Sequence, residues 1–356
     1  MSTAIVAGLA TAAAAALLFS SAVRRRAASP RASSAAASAL TGILYRFKAP
    51  HWHAPLQAFE SPIHHEHKRY CIYIGGLTDG LLACRYVDDL APALDRLGWA
   101  LVQPVLSSSY TGYGCSSLAR DAEELGELLA TIDARGPVDA FALVGHSTGC
   151  QDIVTLLRSA PPSVRAKVRA AVLQAPVSDR EADSIEADPA EAARLAKVAN
   201  ALIDAGKGHE LMPGYLHNGF VPISAARYAS LHDRMTADDM FSSDLSDAEL
   251  ARCLGHMGTR GQREGVVDND GGWLVEPLPS HPGLRTCFAC SGADEYVPKH
   301  VDTRALAQRF VTAAGSAANG AEAYIVPAAN HNCATPPSAA EDFVRCVCRV
   351  LGKATA

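Results

Sequence analysis

From Tyr70 onward, short apolar runs alternate with longer stretches whose apolar residues recur at helical spacing. That alternation predicts a mostly parallel sheet wrapped by helices. Tyr70–Ile74 reads as a strand ending in Gly75-Gly76, and residues 86–97 as a helix closed by Gly98. Trp99–Gln103 is the next strand, stopped by Pro104, and Ser116 or Ser117 caps a helix through Leu129. Leu118, Leu125, Leu128 and Leu129 share one face of that helix. Ala140–Val144 is a strand backed by a helix that includes Asp152 to Leu157. Ala170–Gln174, Thr286–Cys290 and Ala323–Val326 follow as strands, with a closing helix from about Ser338 to Leu351.

Between Pro176 and Pro282 the strand rhythm lapses. Asp188-Pro-Ala-Glu191 is a helix start, with Asp as N-cap and Pro in the first turn. Leu195, Val198 and Leu202 then share a face, and Gly206 supplies a stop. Ser246-Asp-Ala-Glu249 is a capping box whose helix ends at Gly255. A segment this long is no simple connector. It is expected to form a helical, loop-rich cap insertion over residues 177–282 of a single domain spanning 43–356.

Residues 1–42 differ in composition. They are rich in Ala, Ser and Arg, and no acidic residue occurs before Glu60. This resembles a transit peptide for a plastid or mitochondrion. A competing reading uses the uncharged run Ser2–Val23 and the basic Arg24-Arg25-Arg26 as a single anchor, which would leave the folded domain on the cytoplasmic side. A secretory signal fits less well, because no basic residue precedes Ile5. The net charge of −5 over 356 residues gives no footprint of a nucleic-acid binder.

Metal chemistry has little support. Cys287 and Cys290 lie in a strand, and Cys346 and Cys348 in a helix, at spacings that send the two side chains of each pair apart. His51, His53, His64, His65 and His67 cluster before the first strand recognised here, but their spacing fits no helix-borne ligand pair and they read as surface or packing residues. Asp238, Asp239 and Asp244 read as solvated groups or helix caps, with contact to a cationic substrate as the functional alternative.

The chemistry concentrates in Gly145-His146-Ser147-Thr148-Gly149, a G-x-S-x-G string between a strand and a helix. That context makes it a nucleophile elbow, with Ser147 at the apex and His146 as packing support. A serine hydroxyl needs a base and an orienting acid, expected in the chain order Ser, acid, His. Asp294 follows the strand ending at Cys290, with Glu295 as its rival, and His331 follows the last strand. An oxyanion hole needs two backbone N–H donors. One is assigned to Thr148 and the other to Leu77, with Gly76 as the alternative, in the loop Gly75-Gly-Leu-Thr-Asp-Gly80.

From Tyr70 to Leu351 the chain resembles the α/β-hydrolase superfamily. Five strings narrow the resemblance to the DUF1749 (UPF0613) family: Gly75–Gly80, Gln103–Tyr110, Gly145–Asp152, Asp239–Leu245 and Ser291–Pro298. That family includes fungal esterases acting on hydroxamate siderophores. The resemblance implies a serine esterase without carrying the siderophore substrate over. The expectation is a Ser147–His331–Asp294 carboxylic ester hydrolase acting on a small-molecule ester through an acyl-enzyme, with no metal or organic cofactor required. Its alternatives are an acyltransferase on the same triad and a non-catalytic ligand receptor of the same fold.

Overall fold

The computed structural model describes residues 39–354, apart from Trp52, 62–66, 185–187, 258–280, Pro282 and 316–319. Its strands are β1 (Ile43–Phe47), β2 (Leu56–Ser61), β3 (Arg69–Ile74), β4 (Ala100–Val105), β5 (Ala140–His146), β6 (Val168–Gln174), β7 (Leu211–His217), β8 (Val221–Ser224), β9 (Arg285–Ser291) and β10 (Ala321–Val326). The helices are α1 (Val87–Asp95), α2 (Leu118–Arg135), α3 (Gly149–Ser159), α4 (Pro162–Arg165), α5 (Asp179–Ser184), α6 (Pro189–Asp204), α7 (Ala225–His232), α8 (Asp247–Leu254), α9 (Thr303–Ala313) and α10 (Pro337–Ala354).

Eight strands form one sheet in the order β1–β2–β4–β3–β5–β6–β9–β10. β1, β2 and β4 pair antiparallel, and every pairing from β4 to β10 is parallel. This is the α/β-hydrolase fold. Alternation along the strands divides the core into two layers. Ile72, Leu143, Leu173 and Phe288 pack on one side with Leu125 and Leu128 of α2, Ile153 of α3 and Phe310 of α9. Cys71, Tyr73, Val144 and Val172 pack on the other with Leu90 and Leu94 of α1 and Phe343 and Val347 of α10.

The cap signals read from sequence act as such. Ser117 accepts from Arg120 N–H, Asp188 from Ala190 N–H, and Ser246 with Glu249 closes a full capping box. Three features differ from the sequence expectation. Pro104 does not stop its strand: β4 runs to Val105, because its ladder with β3 ends at Val102 and only β2 pairs with it beyond that point. β1 and β2 precede the first strand recognised from the sequence, as a short antiparallel edge whose mixed Arg, Tyr and Gln content hides its periodicity. The insertion between β6 and β9 is not purely helical, since β7 and β8 form an antiparallel hairpin within it. That hairpin sits at the carboxyl ends of the sheet strands. Tyr113 Oη lies 2.7 Å from His217 Nδ1, next to the short helical turn Gly112–Cys115 that follows β4.

His51 contacts Glu123, and His67 lies 2.8 Å from Asp95, so both serve surface pairing; His64 and His65 fall outside the described residues. All ten cysteines are free thiols. One member of each closely spaced pair meets one of the other, with Cys287 Sγ 3.7 Å from Cys346 Sγ. Asp238 and Asp239 are not solvated. They are buried and held by Arg227 and Arg180 respectively, while Asp244 bonds Arg180 near the surface. Among the described residues no helix is long and apolar enough to cross a membrane. Residues 1–42, read from sequence as a targeting or anchor segment, lie almost wholly outside them.

Phe310 ties the insertion to the sheet: its ring lies 5.3 Å from that of Phe241 and 5.6 Å from that of Phe288. Phe310→Ala is expected to cost about 3–5 kcal/mol in urea unfolding. A loss below about 1 kcal/mol would mean that the contact closes over without consequence.

Candidate active site

β5 delivers His146, and α3 starts only three residues later, so the chain reverses sharply at Ser147. Ser147 carries φ +52°, the left-handed region that costs a non-glycine residue about 1–3 kcal/mol. Its N–H donates to Gln174 O at 3.0 Å, and its carbonyl accepts from Cys150 N–H at 2.8 Å. The bend needs small neighbours. A Cβ on Gly149 would stand 2.3 Å from Ile74 O, and one on Gly76 would stand 2.7 Å from Ser147 Cβ. The loop after β3 therefore presses directly on the elbow.

His331 lies in the loop after β10, which Asn330 braces by donating N–H to Thr335 O and accepting Thr335 N–H on Oδ1, both at 2.9 Å. The imidazole Nδ1 is 2.9 Å from Asp294 Oδ2 and 3.0 Å from Oδ1. Glu295 takes a different position, accepting His331 backbone N–H at 2.8 Å. Of the two candidate acids, Asp294 faces the ring. The His331 ring also lies 4.9 Å from that of His146 and 4.7 Å from that of Tyr296, so it stands beside the elbow. Ser147, His331 and Asp294 are brought to one end of the sheet, as the topology of these loops requires.

Thr148 is the cap residue of α3, so the amides here precede the first intrahelical bonds and carry the partial positive charge of the helix start. Gly76 N–H is engaged by Asp79 Oδ2 at 2.8 Å. Gly76 thus supplies close approach to Ser147 while its N–H is taken up within its own loop. Leu77 packs on the small apolar cluster of the insertion formed by Leu195, Ile223 and Tyr228 among others.

Sequence reasoning missed Gln174. It is fully buried at the carboxyl end of β6 and joins four parts of the site. Its carbonyl holds Ser147; its Nε2 donates to His331 O at 2.7 Å and to Ser291 Oγ at 3.2 Å; and its Oε1 accepts from Tyr86 Oη at 3.3 Å and from His146 Nδ1 at 2.5 Å. The available signal was a lone amide closing the otherwise apolar run Ala170–Gln174, one strand from the elbow.

His146 is likewise more than packing. Burial opposes its charge, but Cys84, Asp79 and Gln174 around it overcome that and raise its pKa to about 9. Asp79, Cys84 and His146 offer ligand atoms within 4.8 Å of one another, a donor set of the kind that holds zinc. Asp79 is already bonded to Gly76 and His146 to Gln174, so these groups already brace the loop against the elbow.

A sequence profile for DUF1749, described as a protein of unknown function, matches residues 33–352. The chain belongs to the DUF1749 family. A UPF0613 protein of Schizosaccharomyces pombe is 34% identical over 271 residues, covering 73% of this chain and 79% of that one. The fusarinine C esterase sidJ of Aspergillus fumigatus is 31% identical over 340 residues, covering 82% and 89%. Among solved structures, the siderophore hydrolase EstB of Aspergillus fumigatus superimposes with a TM-score of 0.67 at 27% identity, covering 90% of this chain and 99% of that one. This DUF1749 chain is a hydrolase of the esterase type.

Replacing Gln174 by Leu strands His146 Nδ1 and Tyr86 Oη in a buried site and leaves the His331 carbonyl with only the longer bond from Ser291 Oγ at 3.4 Å. Each orphaned group costs about 1–3 kcal/mol, so chemical unfolding of Gln174→Leu is expected to show a loss of at least about 2 kcal/mol. Esterase activity of the folded fraction should fall with it, and wild-type stability would contradict the bracing role.

Proposed function

We propose that Ser147, His331 and Asp294 act as nucleophile, general base and orienting acid in a carboxylic ester hydrolase that works through an acyl-enzyme. The observation that carries this reading is the Asp294 carboxylate at 2.9 Å from His331 Nδ1, with the ring held beside the elbow. Asp294 fixes the proton on Nδ1 and leaves Nε2 to take the Ser147 proton as Oγ attacks the ester carbonyl. The developing oxyanion is met by the N–H groups of Leu77 and Thr148 at the start of α3. His331 then gives its proton to the leaving alcohol, and a water activated by the same ring releases the acid. No step draws on a metal or an organic cofactor.

The substrate is a small-molecule ester. The named activity of the fusarinine C esterase and of the siderophore hydrolase supports a siderophore-type ester as the class to test first. Residues 177–282 are read as a cap that shapes access, and residues 1–42 as a targeting or anchor segment.

The test is labelling by a fluorophosphonate together with turnover of p-nitrophenyl esters. Ser147→Ala is expected to lose both, with kcat lower by about 10⁶. Asp294→Asn should lose about 10⁴ in kcat, because the ring then holds the wrong tautomer. Glu295→Gln should lose far less, since Glu295 bonds only the backbone of His331. Equal losses at the two acids, or labelling that survives in Ser147→Ala, would overturn the assignment.

A further inference from the structure

Behind the oxyanion loop lies a cavity whose walls include Leu77, Ser108, Asp121, Thr148, Asp152 and Arg227. Three of its wall residues carry buried polar atoms with no hydrogen-bond partner among the described residues: Thr148 Oγ1, Asp152 Oδ1 and Arg227 Nε. These residues are 5%, 3% and 4% exposed. Buried polar atoms are nearly always paired, so the two orphaned oxygens, both able to accept from an N–H donor, mark a place where something else supplies the partner; Arg227 Nε is itself a donor and takes no part in receiving one.

The charge balance says what that is. Among the described residues, Asp121, Glu124, Asp152 and Asp238 are all buried near the guanidinium of Arg227, whose charge also acts on Asp179. Arg227 Nη1 is taken up by both oxygens of Asp238, at 2.8 and 2.7 Å. Glu124 Oε2 accepts Ser107 N–H at 2.9 Å and lies outside the cavity wall. Asp121 and Asp152 remain facing the cavity. Asp121 has hydroxyl donors, with Ser116 Oγ at 3.1 Å, but among the described residues no cation is hydrogen-bonded to either carboxyl, and Arg227 acts on both only through its field. Burial, and for Asp152 the neighbouring Asp121, push both pKa values upward, that of Asp121 to about 7. Two buried carboxyls left without their own cation are a costly arrangement that an incoming cation relieves.

We propose that this cavity is a subsite for a protonated amine carried on the substrate, on either its acyl or its alcohol half, with Asp152 and Asp121 receiving the ammonium N–H groups. The proposal rests on the reading of Ser147 as nucleophile. Leu77 and Thr148, the donors assigned to the oxyanion, belong to the same wall. An ester carbonyl lodged against them lies on the wall that they share with Asp152. The subsite makes the enzyme prefer an ester bearing a free amine over the same ester with that amine replaced by a methyl group or masked as an amide.

The test compares three matched alkyl esters at each chain length: amine-bearing, methyl-terminated isostere and N-acetylated. One series varies the acid and one the alcohol, with acid release followed on the full chain at fixed ionic strength. In at least one series kcat/KM for the amine ester is expected to exceed that of its isostere by about tenfold or more, equivalent to about 1.4 kcal/mol. Asp152→Asn should bring that ratio close to one, and Asp121→Asn should lower it. Equal rates for the ammonium ester and its isostere in both series would overturn the subsite while leaving the esterase reading standing. Turnover of none of the esters would count against the triad instead. In that case calorimetric titration of wild-type protein with n-butylammonium decides the subsite: saturable binding that Asp152→Asn abolishes supports it, and no binding overturns it.

Discussion

The hydrogen bond from Ser147 N–H to Gln174 O is the constraint on which the site depends. It pins a residue at φ +52°, where side chains other than glycine are strained, to the end of the neighbouring strand β6. The parallel register of β5 with β6 pairs His146 with Gln174, so the elbow begins where Gln174 can receive it. Close contact with the β3 loop then follows from the glycines at 76 and 149, whose missing side chains leave room for Ser147 and for Ile74 O. The Ser147 elbow, the loop after β3 and the His331 loop are thus registered by sheet geometry rather than by flexible side chains.

Two buried polar networks meet at this end of the sheet, and they differ in kind. The one around Gln174 is closed: its donor nitrogen and acceptor oxygen are both used, on Tyr86, His146, Ser291 and His331. In a low-dielectric interior such closure rigidifies. The one around Asp152 is open, with orphaned oxygens and a nitrogen on a cavity wall and an excess of carboxyl groups over cations. A closed network suits support, and an open one suits reception of a ligand.

Much of this was legible in the chain. Each run read as a strand from Tyr70 onward became a strand of the sheet, because buried parallel strands are written as continuous apolar runs. Ser147, Asp294 and His331 could be singled out because each follows a strand whose end is visible in the sequence. What was not legible had specific causes. β1 and β2 lie at an edge where one-sided burial and mixed polar content blur alternation. Pro104 reads as a stop unless one knows that β3 leaves β4 after Val102. Gln174 and Asp152 gain their meaning only from partners far away in the chain, which spacing cannot reveal. The engagement of Gly76 N–H by Asp79 is a local bond, yet it depends on the turn that the loop adopts.

The central claim is that Ser147 is acylated by substrate. Peptide mapping by mass spectrometry, after rapid quenching of the protein mixed with an excess of an activated acetate ester, tests it most directly. The account predicts one acetyl group on the peptide containing Ser147, attached at that residue and lost on standing in substrate-free buffer. An unmodified Ser147 peptide during rapid turnover, or an acyl group on another side chain that forms and decays at the turnover rate, would contradict it.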